Sequence, residues 1–256
     1  MCSSDLGADV LPRDASHLLL RSALHGLHDL GWSVPGLRLR CHNTIPHGRG
    51  LGSSSAAIVA GLLAALALTE GHREEIGDPR RWLLQHADAI EGHPDNVAAA
   101  IAGGFVIAWG TPGAVRVVTS PVHPDVAVTV FVPDTPVATK AARGLLPPVV
   151  PHGEAAQNAG RSALLVHALA RDPDLLLDGT ADRLHQDYRR PAMPQTWELV
   201  QQLRGQGHAA VVSGAGPTVL VLGRGRDLAG LGDRPGFRRM PLAVGTAAAV
   251  LAPAHE

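Results

Sequence analysis

At 256 residues, with 45% hydrophobic and 18% charged side chains, the chain has the length and composition of a folded protein with one large core or two smaller ones. A formal net charge of -1 and only three Phe, four Trp and one Tyr argue against a nucleic-acid or anionic-membrane surface, so any anion site must be local. Cys2 and Cys41 form neither a disulfide framework nor a metal-binding spacing, which fits a reducing cytoplasm, and the longest apolar run, residues 56–68, falls short of the roughly 18 residues of a membrane span.

The opening MCSSDLGADVLPRD has neither the basic region nor the apolar core of a signal peptide. CSSDL is also what the end of a common sequencing adapter encodes in one frame, so the natural start is expected upstream. Asp14 is placed to cap a helix running through HLLLRSALHGLHDLG, with Gly31 as its stop. GLRLRCHNTIP alternates Leu37, Leu39 and Cys41 with Arg38, Arg40 and His42, the period of a half-buried strand over residues 37–45. A glycine-rich loop follows, then a buried helix over 53–69 and a second over 79–91 that ends at EGHPDN. NVAAAIAGGFVIAWG reads as a short helix, a Gly103-Gly104 turn and a strand; AVRVVTS and VAVTVFVP read as further strands.

Pro133 and Pro136 mark a boundary and divide the chain into domains 1–134 and 135–256. Beyond it, TKAARGLL predicts a short helix and AAQNAGRSALLVHALA a longer one. ADRLHQDYRR and TWELVQQLRGQG also predict helix. AAVVSGAGPTVLVLG reads as strand, glycine turn and strand, and GTAAAVLAP as a closing strand. Strands and helices mix without strict alternation, so the fold class is α+β.

The stretch PHGRGLGSSSAA, residues 46–57, sets three glycines and three serines against an apolar helix. Such a loop can turn several backbone N–H groups towards one point, and the helix N-terminus adds partial positive charge. Both favour phosphate, and the hydroxyls of Ser53, Ser54 and Ser55 can join them. The loop lacks the lysine of a Walker motif and the spacing of a dinucleotide fingerprint. The plainer reading is a tight strand-to-helix turn capped by serine.

Four further stretches decide between these readings. PHGRGLGSSSAA resembles the central ATP motif of the GHMP kinase superfamily, and SGAGPTVLVL its C-terminal glycine motif. EGHPDNVAAAIAGGF, TKAARGLLP and DYRRPAMP resemble segments of the homoserine kinases within it. The resemblance runs from about residue 10 to the end, in family order and spacing. The family's first motif, near its own N-terminus, has no counterpart here, which agrees with a start lying upstream. The resemblance implies the GHMP kinase fold: an N-terminal β-α nucleotide-binding domain and a C-terminal ferredoxin-like α/β plait.

It also implies a reaction, transfer of the ATP γ-phosphoryl group to L-homoserine with Mg²⁺, giving O-phospho-L-homoserine for threonine biosynthesis. Pro46, His47, Gly48, Arg49, Gly50, Leu51, Gly52, Ser53, Ser54, Ser55 and Ala56 would hold the triphosphate. His93, Asp95 and Asn96 would contact homoserine, Thr139 would lie near the reacting hydroxyl, and Arg143 and Arg189 would bind the carboxylate through forked guanidinium groups. Arg190 is the rival to Arg189. Asp95, Thr139 and Arg143 make up the implied catalytic set. The serine and glutamate that ligate Mg²⁺ in some superfamily members align with Ile58 and Gln85, which cannot serve a hard cation. Glu91 is the carboxylate left for it, while Asp88 reads as a solvated face residue. A homodimer is ordinary for the family. The competing readings are another small-molecule kinase of the superfamily and a nucleotide-binding fragment without activity.

Overall fold

The computed structural model describes residues 11–69 and 76–251, except for the side chain of Thr139. The expectation attached to MCSSDLGADV lies outside the described residues. Two compact units emerge: Met1–His47 with Gly52–Thr119 and Gly245–Glu256, and Gly48–Leu51 with Ser120–Val244.

The first unit is built on helices. Helix α1 (Leu18–Asp29) begins one turn after Asp14, whose carboxylate instead accepts from the N–H and hydroxyl of Ser16. Helix α2 (Ser53–Leu68) packs on it closely enough that a Cβ at Gly61 would sit 2.3 Å from the Leu19 carbonyl oxygen. Helix α3 (Pro79–Glu91) is capped by Asp78, which accepts from the Arg80 N–H, and it stops at Gly92 in the left-handed region (φ 84°). Proline again sits in the first turn of α4 (Pro94–Ala102). Ile58, Leu62 and Leu66 of α2 meet Trp82 and Leu83 of α3 and Val97 of α4 in a single apolar cluster. Strands β1 (Phe105–Trp109) and β2 (Arg116–Ser120) form a two-stranded sheet.

Two expected strands are absent here. Residues 37–45 form no strand despite their alternation: a strand needs a ladder, and no described segment pairs with this one. Residues 245–251 form none either. They run beside the end of α4, where Gly104 N–H donates to the Gly245 carbonyl (2.8 Å) and Ala248 N–H to that of Ile101 (3.2 Å). Two isolated bonds tether the segment without making it a strand.

The second unit is built on a sheet. Strands β3 (Val126–Pro133), β4 (Ala209–Val212), β5 (Val219–Arg224) and β6 (Phe237–Leu242) lie in the order β4-β5-β3-β6, antiparallel throughout. Val130 stands opposite Leu220 on one side and Met240 on the other. With helices between β3 and β4 and between β5 and β6, this is the split β-α-β arrangement of the ferredoxin-like plait. Strand β3, which precedes Pro136 in sequence, occupies an interior position of this sheet. Helices α5 (Thr139–Gly144), α6 (His152–Ala170) and α7 (Leu176–Gly179) precede a single turn, α8 (Gln186–Arg189). Helix α9 (Pro194–Gly205) sends Leu199, Val200 and Leu203 against Phe131, Val219 and Val221, and α10 (Gly225–Ala229) adds Leu228.

Here too the sequence reading needs correction. ADRLHQDYRR is helical only over its last turn, because Asp182 accepts from the N–H groups of Leu184, His185 and Gln186 and so ties residues 182–185 into a capping turn. The edge strand β6, FRRMPL, was not expected at all; its two arginines and proline mask the alternation, and proline in a sheet belongs on an edge.

Candidate active site

In the first unit the polar groups converge on the start of α2. Gly52 precedes it with φ 73°, and the three serines that follow have different partners. Ser54 Oγ donates to Glu91 Oε1 at 2.6 Å, and Ser55 Oγ donates to the same oxygen at 2.9 Å. Ser53 Oγ lies 2.8 Å from His47 Nδ1. Glu91 reaches the serines because it is the last residue of α3 before the Gly92 stop. Beyond that stop, His93 Nδ1 donates to Asp95 Oδ1 at 2.5 Å, and the same oxygen accepts from the Asn96 N–H at 2.9 Å. Ala56 N–H donates to the Gly52 carbonyl, and Pro46 is half-buried.

Ile58 is 1% exposed within the apolar cluster, so its side chain takes no part in ligation. Asp88, read as solvated, is in fact 5% exposed. Among the described residues no three His, Cys, Asp or Glu side chains come together as a metal cage. The hard-oxygen donors open to solvent are instead Glu91 and Ser54, with Ser55 buried behind them. That set suits a cation that takes one or two carboxylates from the protein and the rest of its shell from phosphate and water.

In the second unit the loop Gly48–Leu51 lies on the turn between β4 and β5. Ser213 Oγ donates to the Gly50 carbonyl at 2.7 Å, and Thr218 N–H to that of Arg49 at 3.3 Å. A Cβ on Gly50 would come within 2.4 Å of the Ser213 carbonyl oxygen and 2.7 Å of that of Gly216, so only glycine fits. Val137 N–H donates to the Gly48 carbonyl at 3.1 Å. The half-buried Arg49 guanidinium donates to the carbonyls of Pro133 (2.9 Å) and Asp134 at the end of β3.

Arg189 is 8% exposed and donates from Nη1 to the Gly214 carbonyl at 2.9 Å. Arg190 stacks 4.5 Å over the Trp197 ring. The two neighbours that sequence could not separate thus differ in surroundings, one buried on a backbone carbonyl and the other exposed over an indole. Arg143 is exposed near the end of α5, Thr139 is the first residue of that helix, and Leu51 is half-buried. Sequence reasoning missed Asn43, which contacts His47 (3.0 Å), and the Ser213 hydroxyl. The latter lay inside the quoted glycine motif, whereas Asn43 had no pattern to mark it.

Comparison with known proteins gives the family. Residues 17–104 match the family of GHMP kinases N terminal domains, and residues 163–231 match GHMP kinases C terminal. A homoserine kinase of Streptomyces coelicolor is 55% identical over 84% of this chain and 69% of its own length. That of Streptomyces avermitilis is 55% identical over 84% and 70%. The crystal structure of homoserine kinase from Cytophaga hutchinsonii superposes with a TM-score of 0.76 at 28% identity, covering 95% of this chain and 81% of that one. The chain belongs to the homoserine kinase family. Its homoserine-kinase character extends to both matched domains, and with it the chemistry of an ATP-dependent kinase acting on an alcohol. Among the described residues, no helix is long and apolar enough to cross a membrane.

Proposed function

We propose that this chain transfers the γ-phosphoryl group of ATP to the side-chain hydroxyl of L-homoserine, giving ADP and O-phospho-L-homoserine, within the cytoplasm. The observation that carries the nucleotide half of this reading is the division of labour among the serines. Ser54 and Ser55 spend their hydrogens on Glu91; Ser55 is buried, and exposed Ser54 keeps oxygen lone pairs that, beside that carboxylate, suit a cation. The loop N–H groups and the start of α2 supply the donors and partial positive charge that suit phosphate. Mg²⁺, held by Glu91 with phosphate oxygens, would neutralise charge on the transferring group. The protein's own part is positioning and charge stabilisation, because the transition state is loose and anionic.

Homoserine is a zwitterion, and its recognition needs both signs of charge. Asp95, oriented by His93 and by the Asn96 N–H, is assigned the ammonium group. Arg189 and Arg143 are assigned the carboxylate, and Thr139 the neighbourhood of the reacting hydroxyl. That hydroxyl oxygen forms the new bond to the γ-phosphorus as the bond to the β,γ-bridging oxygen breaks, and its proton leaves to solvent. The purified chain incubated with Mg-ATP and L-homoserine should form O-phosphohomoserine, read by phosphorus NMR. Turnover of mevalonate or a sugar in its place would assign the chain to another branch of the superfamily. ATP binding without turnover of any acceptor would leave a nucleotide-binding fragment.

A further inference from the structure

Asn43 determines what Ser53 can do. The N–H of Ile45 donates to Asn43 Oδ1 at 3.0 Å, and the Ile45 carbonyl accepts from Asn43 Nδ2 at 2.9 Å. One residue therefore assigns both ends of the amide: a flipped amide would set oxygen against oxygen and N–H against N–H. The second Nδ2 hydrogen faces His47 Nε2, 3.0 Å away. Nε2 must then accept, so the ring proton resides on Nδ1. Nδ1 is the atom 2.8 Å from Ser53 Oγ. Ser53 Oγ accepts this proton and keeps its own hydrogen for an outside acceptor, whereas Ser54 and Ser55 have given theirs to Glu91.

We infer that Asn43 and His47 are positioning residues for nucleotide binding: through the ring tautomer they hold the Ser53 hydroxyl as a donor to an anionic phosphate oxygen. The inference rests on the ATP-binding role of the loop. It explains why three consecutive serines are not redundant, since two face a carboxylate and one is turned outward by an imidazole. Neither Asn43 nor His47 touches the reacting atoms in this scheme.

Two measurements on the full chain test it. Nitrogen-15 NMR at a pH above the histidine range should show His47 as the Nδ1–H form, and Asn43→Ala should return it to the Nε2–H form that an unconstrained imidazole favours. Calorimetry with Mg-ATP should show roughly tenfold weaker binding for Asn43→Ala, the size expected when a hydrogen bond to a charged group is lost. In a Ser53→Ala background, Asn43→Ala should weaken binding no further, because the hydroxyl it orients is gone. Additive losses would mean that Asn43 merely supports the loop, and would overturn the inference. An Nε2–H ring in the unmodified chain that binds ATP would overturn it too. Failure of the unmodified chain to bind ATP would instead sink the reading of the loop itself.

Discussion

The two units place their polar groups by different means. In the first, side chains do the work: the end of α3 and the start of α2 bring Glu91 to Ser54 and Ser55, and the backbone around Gly52 is open, with nothing within 4 Å of a Cβ built there. In the second, backbone carbonyls are the partners: Gly50 lies against the carbonyls of Ser213 and Gly216, and the Arg189 side chain is held on that of Gly214. Their carboxylates differ in the same sense. Glu91 accepts hydroxyls that belong to the proposed site, whereas Asp182 accepts the backbone N–H groups of its own capping turn. Side-chain networks can be retuned by one substitution, while a backbone contact tolerates none.

The glycines give the sharpest way to break that comparison. Gly50→Val adds a Cβ into two carbonyl oxygens at positive φ, and should destabilise the fold by about 2–4 kcal/mol and abolish ATP binding, as read by urea unfolding and calorimetry. Gly52→Val also has φ +73° but meets open space; strain alone, about 1–2 kcal/mol, leaves it folded. It should still lose ATP binding by keeping phosphate off the backbone. Unchanged ATP affinity in a folded Gly52→Val chain would remove the loop from the site.

The paired arginines come next. Arg189→Lys keeps the charge and loses the fork, so the KM for homoserine should rise roughly 10- to 100-fold, with the KM for ATP close to its starting value. Arg190→Ala should leave both constants alone and lower stability by only about 0.5–1 kcal/mol, the worth of stacking an exposed arginine on half-buried Trp197. Equal effects on homoserine from the two variants would remove the proposed distinction between them, and a larger effect from Arg190→Ala would reverse it.

Helices α2, α3 and α9 were legible in the sequence because each carries its own signals: a long apolar run after glycine, an Asp-Pro start with a glycine stop, a proline start with apolar residues at helical spacing. The order of motifs carried the family and so the plait, which no local pattern specifies. What stayed hidden depended on partners. Residues 37–45 have the alternation of a strand and no described strand to pair with, while β6 has a partner in β3 and little alternation. At the candidate site, Glu91 was named from sequence as the remaining carboxylate, but its bonds to two serines, the anchoring of Arg49 on β3 and the contacts of Asn43 all depend on distances that spacing does not encode.

An effect read in stability alone separates a structural carboxylate from a functional one. Burial alone would raise the pKa of Asp182, but the hydrogen bond from the His185 ring and those from the N–H groups of Gln186 and Leu184 outweigh it and bring the value from 3.8 down to about 2. Since the folded value lies below the unfolded one, the unfolded chain takes up the proton first as pH falls. The stabilisation is therefore complete above about pH 4 and lost as pH drops through about 2. Allowing for solvent screening, it amounts to about 1–2 kcal/mol. Asp182→Asn should lower the neutral-pH unfolding free energy by that amount and flatten its fall in acid, so that variant and parent converge near about pH 2. Asp182 also begins the turn that leads into α8, which carries Arg189. If the variant shows the acid-stability change and keeps the parent's KM for homoserine, the capping turn stabilises the fold without positioning the arginine. A rise in that KM alongside the stability loss would extend the side-chain control seen around Glu91 to the second unit as well.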